Sequence, residues 1–368
     1  MHVFVFLEIF SREGGIQSYV KDILQAYSDL ENVAADVFLL RDGADCENPF
    51  EARSNLRFHY SKTTSATLGR IQFAIELFTH LLKHRPQRVF CGHIHLAPLV
   101  QQLCGMFNIP YTVLTYGKEV WEPLPLHKQK ALQNADRIWT ISRYSRDRAC
   151  LANNIHPTQV DFLFPAVNGT VFQPHPNDLD LVQRYELENS KVLMTVARLW
   201  SGDPYKGVDV TIRALPDIAQ RFPTVKYLVI GRGDDQPRLA QLAQDLGVRD
   251  RVIFAGFVAT DELPKHYCLA DAYVMPSQEG FGIVYLEAMA CGIPVLSGDA
   301  DGSADPLQDG KFGWRVPHRD PGAVAIACIE ILKGRDRRCD GRWLRETSLA
   351  IFDKPAFAER VKQLVGHF

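Results

Sequence analysis

The chain has 368 residues, too many for one ordinary core, so two domains are expected. Hydrophobic residues make up 46% and charged residues 23%, and a formal net charge of -2 gives no general drive toward nucleic acid, so no nucleic-acid partner is expected. The eight cysteines (Cys46, Cys91, Cys104, Cys150, Cys268, Cys291, Cys328, Cys339) have no CxxC and no zinc-like spacing, and read as buried thiols of a reducing compartment.

Met1–Glu8 is apolar but short, lacks a basic lead and is interrupted by Glu8, so it reads as a first buried strand rather than a signal peptide. No apolar run reaches the ~18 residues of a membrane span. Strands and helices then alternate. Val3–Leu7 is a strand, Ile16–Tyr27 a helix, Ala35–Leu40 a strand and Ala66–Lys83 a long helix. Arg88–Cys91 is a strand, Pro98–Phe107 a short helix, and Tyr111–Thr115 and Arg137–Ile141 are strands, with a helix opening at Ser142. Phe164-Pro165-Ala166-Val167-Asn168-Gly169 to Pro174-His175-Pro176-Asn177 is rich in Pro, Asn and Gly and reads as a linker.

The alternation restarts after it. Strands are predicted over Lys191–Val196, Lys226–Ile230, Arg251–Ala255, Ala272–Met275 and Ile293–Leu296. Helices are predicted over Gly207–Ala219, Gln236–Leu246, Asp261–Ala270, Ile283–Ala290, Ala323–Leu332 and Ala356–Gly366. The fold class is therefore α/β: two doubly wound, Rossmann-like domains facing each other across a cleft, with ligands near strand C-terminal ends. The expected domains are 1–168, 169–350 and a terminal piece, 351–368.

Four pieces of sequence carry chemistry. Gly14-Gly15 follows the first strand and opens the first helix, where glycine admits a phosphate to helix N-terminal amides; a plain strand–helix turn reads the same way. Gly231-Arg232-Gly233 is a lone GxG after a strand. Arg198 follows a strand and Lys206 precedes a helix after the turn Ser201–Tyr205; a planar fork and a point charge suit a diphosphate.

The fourth piece is Pro276-Ser277-Gln278-Glu279-Gly280-Phe281-Gly282-Ile283, continuing through Glu287 to Val295. Gly280 and Gly282 permit a tight turn. The amides of Phe281, Gly282 and Ile283 lie at a helix start, ready for an anion or a sugar oxygen. Glu287 lies about one turn past Ile283, where its carboxylate can accept both hydroxyls of a ribose. Glu279 can do the same for sugar hydroxyls.

This run closely resembles the donor-site signature of glycosyltransferase family 4, retaining enzymes of GT-B fold. Val196-Ala197-Arg198 with Tyr205-Lys206-Gly207 is similar to the family's diphosphate-binding arginine and lysine, and Phe254-Ala255-Gly256-Phe257-Val258 to the segment that meets the base. Gly14-Gly15 resembles the first-domain glycine loop that faces the donor phosphates, and Gly92-His93 the cleft histidine.

The resemblance implies that Glu279 holds the donor sugar, Glu287 the ribose, and Arg198 and Lys206 the departing diphosphate. It places His93 beside sugar and acceptor, Val258 at the base, and the last helix against the first domain. His93 can equally be a hydrogen-bonded core histidine, and His95 reads as structural or exposed.

The implied enzyme is a retaining, metal-independent hexosyltransferase with no cofactor. Its donor would be a UDP-sugar, with UDP-glucose the specific expectation, and its acceptor a saccharide or lipid-linked intermediate of envelope or exopolysaccharide synthesis. It would be cytoplasmic, with peripheral contact at the inner membrane face. A nucleotide-sugar epimerase of the same fold is the alternative.

Thr115-Tyr116-Gly117-Lys118-Glu119 departs from the family's histidine–glycine pair. Asp299-Ala300-Asp301 contains an Asp-x-Asp, as does Asp178-Leu179-Asp180; both read as ordinary loop aspartates rather than metal ligands. The basic run Lys333–Arg338 with Arg342 and Arg345 reads as a membrane contact or a solvated face, and Trp121, Trp139 and Tyr144 as an acceptor groove or as packing.

Overall fold

The computed structural model describes residues 1–12, 14–202 and 206–366. The chain separates into two compact units, Met1–Pro165 with Pro355–Phe368, and Ala166–Lys354. The divisions thus fall after Pro165 rather than after residue 168, and after Lys354 rather than after residue 350.

The first unit is a seven-stranded parallel sheet. Its strands are β1 (His2–Phe6), β2 (Ala35–Leu39), β3 (Leu56–Tyr60), β4 (Val89–Cys91), β5 (Tyr111–Thr115), β6 (Arg137–Thr140) and β7 (Val160–Phe162), in the order β3-β2-β1-β4-β5-β6-β7. Its helices are α1 (Gly15–Ser28), α2 (Ala66–His84), α3 (Ala97–Phe107), α4 (Leu126–Gln133) and α5 (Arg143–Asn153), whose N-cap is Ser142. Central strands are apolar throughout because helices cover both sheet faces: β1, β2 and β5 are buried at every residue. Helix α1 buries Val20, Ile23, Leu24 and Tyr27 along one side, the spacing of a helix lying on a sheet.

The second unit is a six-stranded parallel sheet in the order β10-β9-β8-β11-β12-β13. The strands are β8 (Lys191–Val196), β9 (Val225–Ile230), β10 (Val252–Gly256), β11 (Ala272–Met275), β12 (Val295–Gly298) and β13 (Gly313–Val316). The helices are α6 (Leu179–Arg184), α7 (Val208–Arg221), α8 (Gln236–Asp245), α9 (Leu263–Tyr267), α10 (Ile283–Ala290), α11 (Pro321–Lys333) and α12 (Gly341–Phe352). The last helix, α13 (Lys354–Gly366), packs in the first unit, with Phe357 edge-on to Tyr19 and the Arg360 guanidinium donating to the Phe162 carbonyl at 3.0 Å.

In both sheets the strand order reverses beside the first strand of the unit, β1 against β4 and β8 against β11. Such a reversal leaves a crevice at the strand C-terminal ends, because the two connecting helices leave toward opposite faces. All eight cysteines are free thiols, and no helix of the described residues is long and apolar enough to cross a membrane.

Glycine at one strand end ties the second fold to its crevice. Gly231 follows β9 at φ 131, donates to the Gly256 carbonyl at 2.7 Å, and lies where a Cβ would stand 1.9 Å from the Ala197 carbonyl oxygen. Gly231→Ala is expected to destabilise the fold by about 2–3 kcal/mol through this clash and its positive φ, read as a lower urea midpoint at unchanged m-value.

Candidate active site

Beyond β8 the backbone continues as Ala197-Arg198-Leu199. Ala197 donates to the Ile230 carbonyl at 2.9 Å and Leu199 to the Arg232 carbonyl at 3.1 Å. This alternation turns Arg198 outward, where its guanidinium lies 5.4 Å from the Trp200 ring, within cation–π range. Gly233 is pressed against the same stretch, since a Cβ there would stand 1.7 Å from the Leu199 carbonyl oxygen. The GxG therefore positions Arg198 through backbone packing. Arg198, Trp200 and Lys206 line one crevice with Asp235 and Arg238, the last two paired at 2.6 and 2.7 Å.

Lys206 and Glu279 form an ion pair, their side chains 20% and 14% exposed. The preceding residues Asp203, Pro204 and Tyr205 of the expected turn lie outside the described residues. Gly207, at φ 73, caps α7 and sits where a Cβ would be 2.4 Å from the Pro276 carbonyl oxygen, so the Lys206 backbone and the 276–282 loop can approach. The loop is fixed from below by Asp301, which is 2% exposed and accepts from the Glu279 amide at 2.7 Å and the Ser303 amide at 2.9 Å. The Gly302 amide donates to the Glu279 carbonyl at 2.9 Å. Burial pushes the Asp301 carboxyl up to about 6 against the pull of these donors. Asp301 of the Asp-x-Asp is thus an anchor for Glu279, while the Asp299 carboxylate accepts from the His318 amide at 3.2 Å.

Gly282, at φ 91, is the N-cap of α10, and a Cβ there would strike the Tyr285 ring at 2.4 Å. Phe281 is 2% exposed with its ring near Phe352, so only its backbone can serve a ligand. One helical turn beyond Ile283, Glu287 accepts from the Tyr267 hydroxyl at 2.6 Å. Burial pushes the Glu287 carboxyl up, and the Tyr267 hydrogen bond and Lys354 draw it back. Val258 is half-buried in the loop after β10, beside the exposed Phe257, whose ring lies 4.9 Å from the Arg232 guanidinium.

In the first unit, Gly14 is the extended N-cap of α1 and Gly15 opens the helix; a Cβ on Gly15 would meet nothing within 4 Å. Glu13 lies outside the described residues. The loop before it is gathered by buried Asp42, which accepts from the amides of Ile9, Phe10 and Ser11 at 2.6, 3.1 and 2.9 Å. After β4, a Cβ on Gly92 would strike the Phe6 ring at 2.0 Å, which brings the following turn close to β1.

His93 Nδ1 accepts from the His95 amide at 3.1 Å, so a neutral ring carries its proton on Nε2. Burial, with His95, Arg41 and Lys128 nearby, holds the imidazole down to about 4, so the ring is neutral at physiological pH and offers an N–H donor. His95 is exposed and bonded to Lys128 Nζ at 2.6 Å. Tyr116 donates to the Gly92 carbonyl at 2.7 Å, while Glu119 accepts from the Tyr116 amide; the departing Thr115–Glu119 segment is thereby a buttress of the His93 turn.

Trp139 is 1% and Trp121 is 9% exposed, and Tyr144 packs edge-on to Trp121, so these aromatics are packing and form no groove. Much of the basic run is used internally: Arg338 pairs with Asp336 and lies over Trp314, and Arg345 donates to the carbonyls of Gly169, Phe172 and Ala290. Sequence reasoning missed Asp42, Asp301 as an anchor, and Tyr267. The signal for each aspartate was an acid placed just past an apolar strand end; Tyr267 has none, since its role appears only in three dimensions.

A folded-state pKa below the unfolded one of about 6.5 means the unfolded chain binds the proton more readily, so His93 contributes stability that is present above that value and lost as pH falls toward 4. His93→Gln should flatten the fall of the urea midpoint between pH 6.5 and 4.5 by about 1–2 kcal/mol relative to wild type. A parallel pH profile in both proteins would contradict the assignment.

Residues 190–334 match the family described as "Glycosyl transferases group 1". A GDP-mannose-dependent alpha-(1-6)-phosphatidylinositol monomannoside mannosyltransferase of Mycobacterium tuberculosis is 37% identical over 346 residues, 89% of this chain and 87% of that protein. The GDP-mannose-dependent monoacylated alpha-(1-6)-phosphatidylinositol monomannoside mannosyltransferase of Corynebacterium glutamicum is 29% identical over 352 residues, again 89% and 87% of the two chains. Among solved structures, Anabaena Alr3699/HepE in complex with UDP superposes with a TM-score of 0.82 at 19% identity, covering 100% of both chains. With these relatives and the doubly wound sheets, the chain belongs to the group 1 glycosyltransferases of GT-B fold, in keeping with the family 4 resemblance of its motifs.

Proposed function

We propose that this chain is a retaining, metal-independent mannosyltransferase that takes a hexosyl group from GDP-mannose and places it on a lipid-linked saccharide or polyol. The observation that carries the reading is the Lys206–Glu279 ion pair at the β8/β11 reversal, with Arg198 lining the same crevice as Lys206. Cations there neutralise a departing diphosphate, and a carboxylate tied to one of them sits where sugar hydroxyls need an acceptor. GDP-mannose replaces the UDP-glucose of the sequence reading because relatives of 29–37% identity carry GDP-mannose in their names. UDP and UDP-glucose occur in complexes of fold neighbours at 19–20% identity, which speak for the fold alone.

In this reading Glu287, oriented by Tyr267, accepts the ribose hydroxyls, and the backbone at Phe281, Gly282 and Ile283 meets phosphate or sugar oxygens. Val258 borders the base. The glycosidic bond to phosphate breaks as the acceptor oxygen bonds to the same face of the sugar carbon, and the departing phosphate oxygen takes the acceptor's proton. Arg198 and Lys206 stabilise the charge that develops on that phosphate. His93 offers an Nε2–H donor rather than a base, because its other ring nitrogen already accepts from the His95 amide.

A lipid-linked acceptor lies at a membrane surface, and α2 supports contact with one. Leu68, Ile71, Ile75, Phe78 and Leu82, 36–60% exposed, recur every three or four residues along its outer side, opposite the buried Phe73, Leu77 and Leu81.

Purified enzyme offered GDP-mannose or UDP-glucose with a phosphatidylinositol mannoside acceptor should release GDP faster than UDP, and the new linkage should keep the donor's anomeric configuration by NMR. Donor alone returned as an epimer would overturn the reading. Lys206→Ala should lower kcat by about 10²–10³-fold with the fold intact by circular dichroism. Ile71→Glu with Ile75→Glu should reduce sedimentation with phosphatidylinositol vesicles while leaving turnover of a short-chain acceptor unchanged.

A further inference from the structure

A second cluster of chemistry-bearing groups lies in the first unit, outside the residues assigned to transfer. Asp36 on β2, His59 on β3 and His80 on α2 each offer a ligand atom, and these atoms all lie within 4.8 Å of one another. Asp36 Oδ1 stands 2.7 Å from His59 Nε2, and Asp36 Oδ2 stands 3.5 Å from His80 Nε2. Asp36 is 3% and His80 9% exposed, so the carboxylate and the ring are nearly out of water.

The fold builds this cluster deliberately from three elements. Parallel pairing sets Phe38 opposite His59, and the two rings stack at 4.3 Å. Helix α2 closes over this face through Phe73 and His80, whose rings meet Phe38 edge-on at 6.4 and 5.1 Å. The imidazoles are thereby held against a common aromatic wall, both facing one carboxylate. His84, one turn along α2, lies with its ring centroid 4.5 Å from that of His80. Arg57 also faces Asp36, 3.9 Å from Oδ1 and 75% exposed at its side chain.

One atom is left without an account. His80 Nε2 is buried and has no hydrogen-bond partner among the described residues, although it lies 3.5 Å from a carboxylate oxygen. As an unprotonated nitrogen, Nε2 sets its lone pair against the carboxylate; as an N–H, it makes no hydrogen bond to Oδ2, although Oδ1 is hydrogen-bonded to His59 Nε2 at 2.7 Å. A cation between them resolves both. Zinc bonds imidazole nitrogen and carboxylate oxygen at about 2.0–2.2 Å, which puts tetrahedral ligand atoms about 3.3 Å apart, close to the 3.5 Å already present and a small opening of the 2.7 Å contact.

We propose that Asp36, His59 and His80 form a binding site for a divalent transition metal of the zinc class, with His84 or water in the fourth position. Two imidazoles and one carboxylate are a borderline donor set that favours zinc over calcium or magnesium. The ion clamps the edge strand β3 and helix α2 to β2. Its entry path is the His59 and His84 side, where His59 is 31% exposed at its side chain. The role is a staple of the first unit, separate from the donor chemistry.

The full-length protein, stripped with chelator and dialysed, is titrated with zinc chloride by calorimetry. The expected result is about one equivalent bound and a higher Tm with metal present. Cobalt(II) should give the intense visible bands of a tetrahedral nitrogen–oxygen site. Asp36→Asn and His80→Gln should each weaken zinc binding by roughly 10–100-fold or more, with mannosyl transfer preserved. Binding that survives undiminished in both variants would place the metal elsewhere, and a wild-type protein that binds neither ion stoichiometrically would overturn the proposal even if a variant fails to fold.

Discussion

The Lys206–Glu279 ion pair is the constraint around which the second unit is organised. Two oppositely charged side chains, each mostly shielded from water, are held together only if their backbones are brought close and kept there, because a loose pair of this kind gains little against its desolvation. The close approach is made by residues lacking a side chain. Gly207 lets the start of α7 press on Pro276, and Gly302 lies where a Cβ would be 2.0 Å from the Gly280 carbonyl oxygen. The buried Asp301 then fixes the Glu279 amide from beneath. A carboxylate pushed up by burial at the foot of the loop is the cost of holding a second carboxylate, Glu279, in place at its top.

The same device recurs with different chemistry in the first unit. Asp42 gathers three successive amides after β1, and Gly92 admits the His93 turn beside Phe6. Here the outcome is a neutral imidazole with one nitrogen occupied. The contrast is one of charge: a full cation and a full anion are paired in the second unit, while the histidine of the first offers a single N–H. Under the proposed function, that pair lies where charge develops on a departing diphosphate.

Both sheets were legible in the sequence where strands run through the middle of a sheet, because burial on two faces demands uninterrupted apolar residues, as in Val192–Val196. Of the four edge strands only β10, predicted over Arg251–Ala255, was legible; the other three were not. Leu56–Tyr60 carries Arg57 and His59, Val160–Phe162 has Asp161 at its centre, and Gly313–Val316 includes Arg315; an edge strand tolerates polar residues because one side is open. Helix α12 escaped notice because it buries only Leu344, Ser348 and Phe352, a stripe too narrow to read. In the candidate site, charged residues at strand ends announced themselves. The roles of the supporting residues did not, although Asp42 and Asp301 are acids past strand ends, since Asp301, Asp42 and Tyr267 act through partners 22, 31–33 and 20 positions away. The donor identity was also beyond reach, because nothing in the diphosphate motifs distinguishes a guanine from a uracil nucleotide.

The division of labour within the ion pair is the central claim, and calorimetric titration of GDP and of GDP-mannose into wild type, Lys206→Ala and Glu279→Ala tests it most directly. The lysine variant should bind both ligands more weakly, because both carry the diphosphate. The glutamate variant should lose affinity for GDP-mannose alone and bind GDP at least as well as wild type, since removing the carboxylate frees the cation for phosphate. Equal weakening of both ligands by Glu279→Ala, or no weakening of either by Lys206→Ala, would contradict the account.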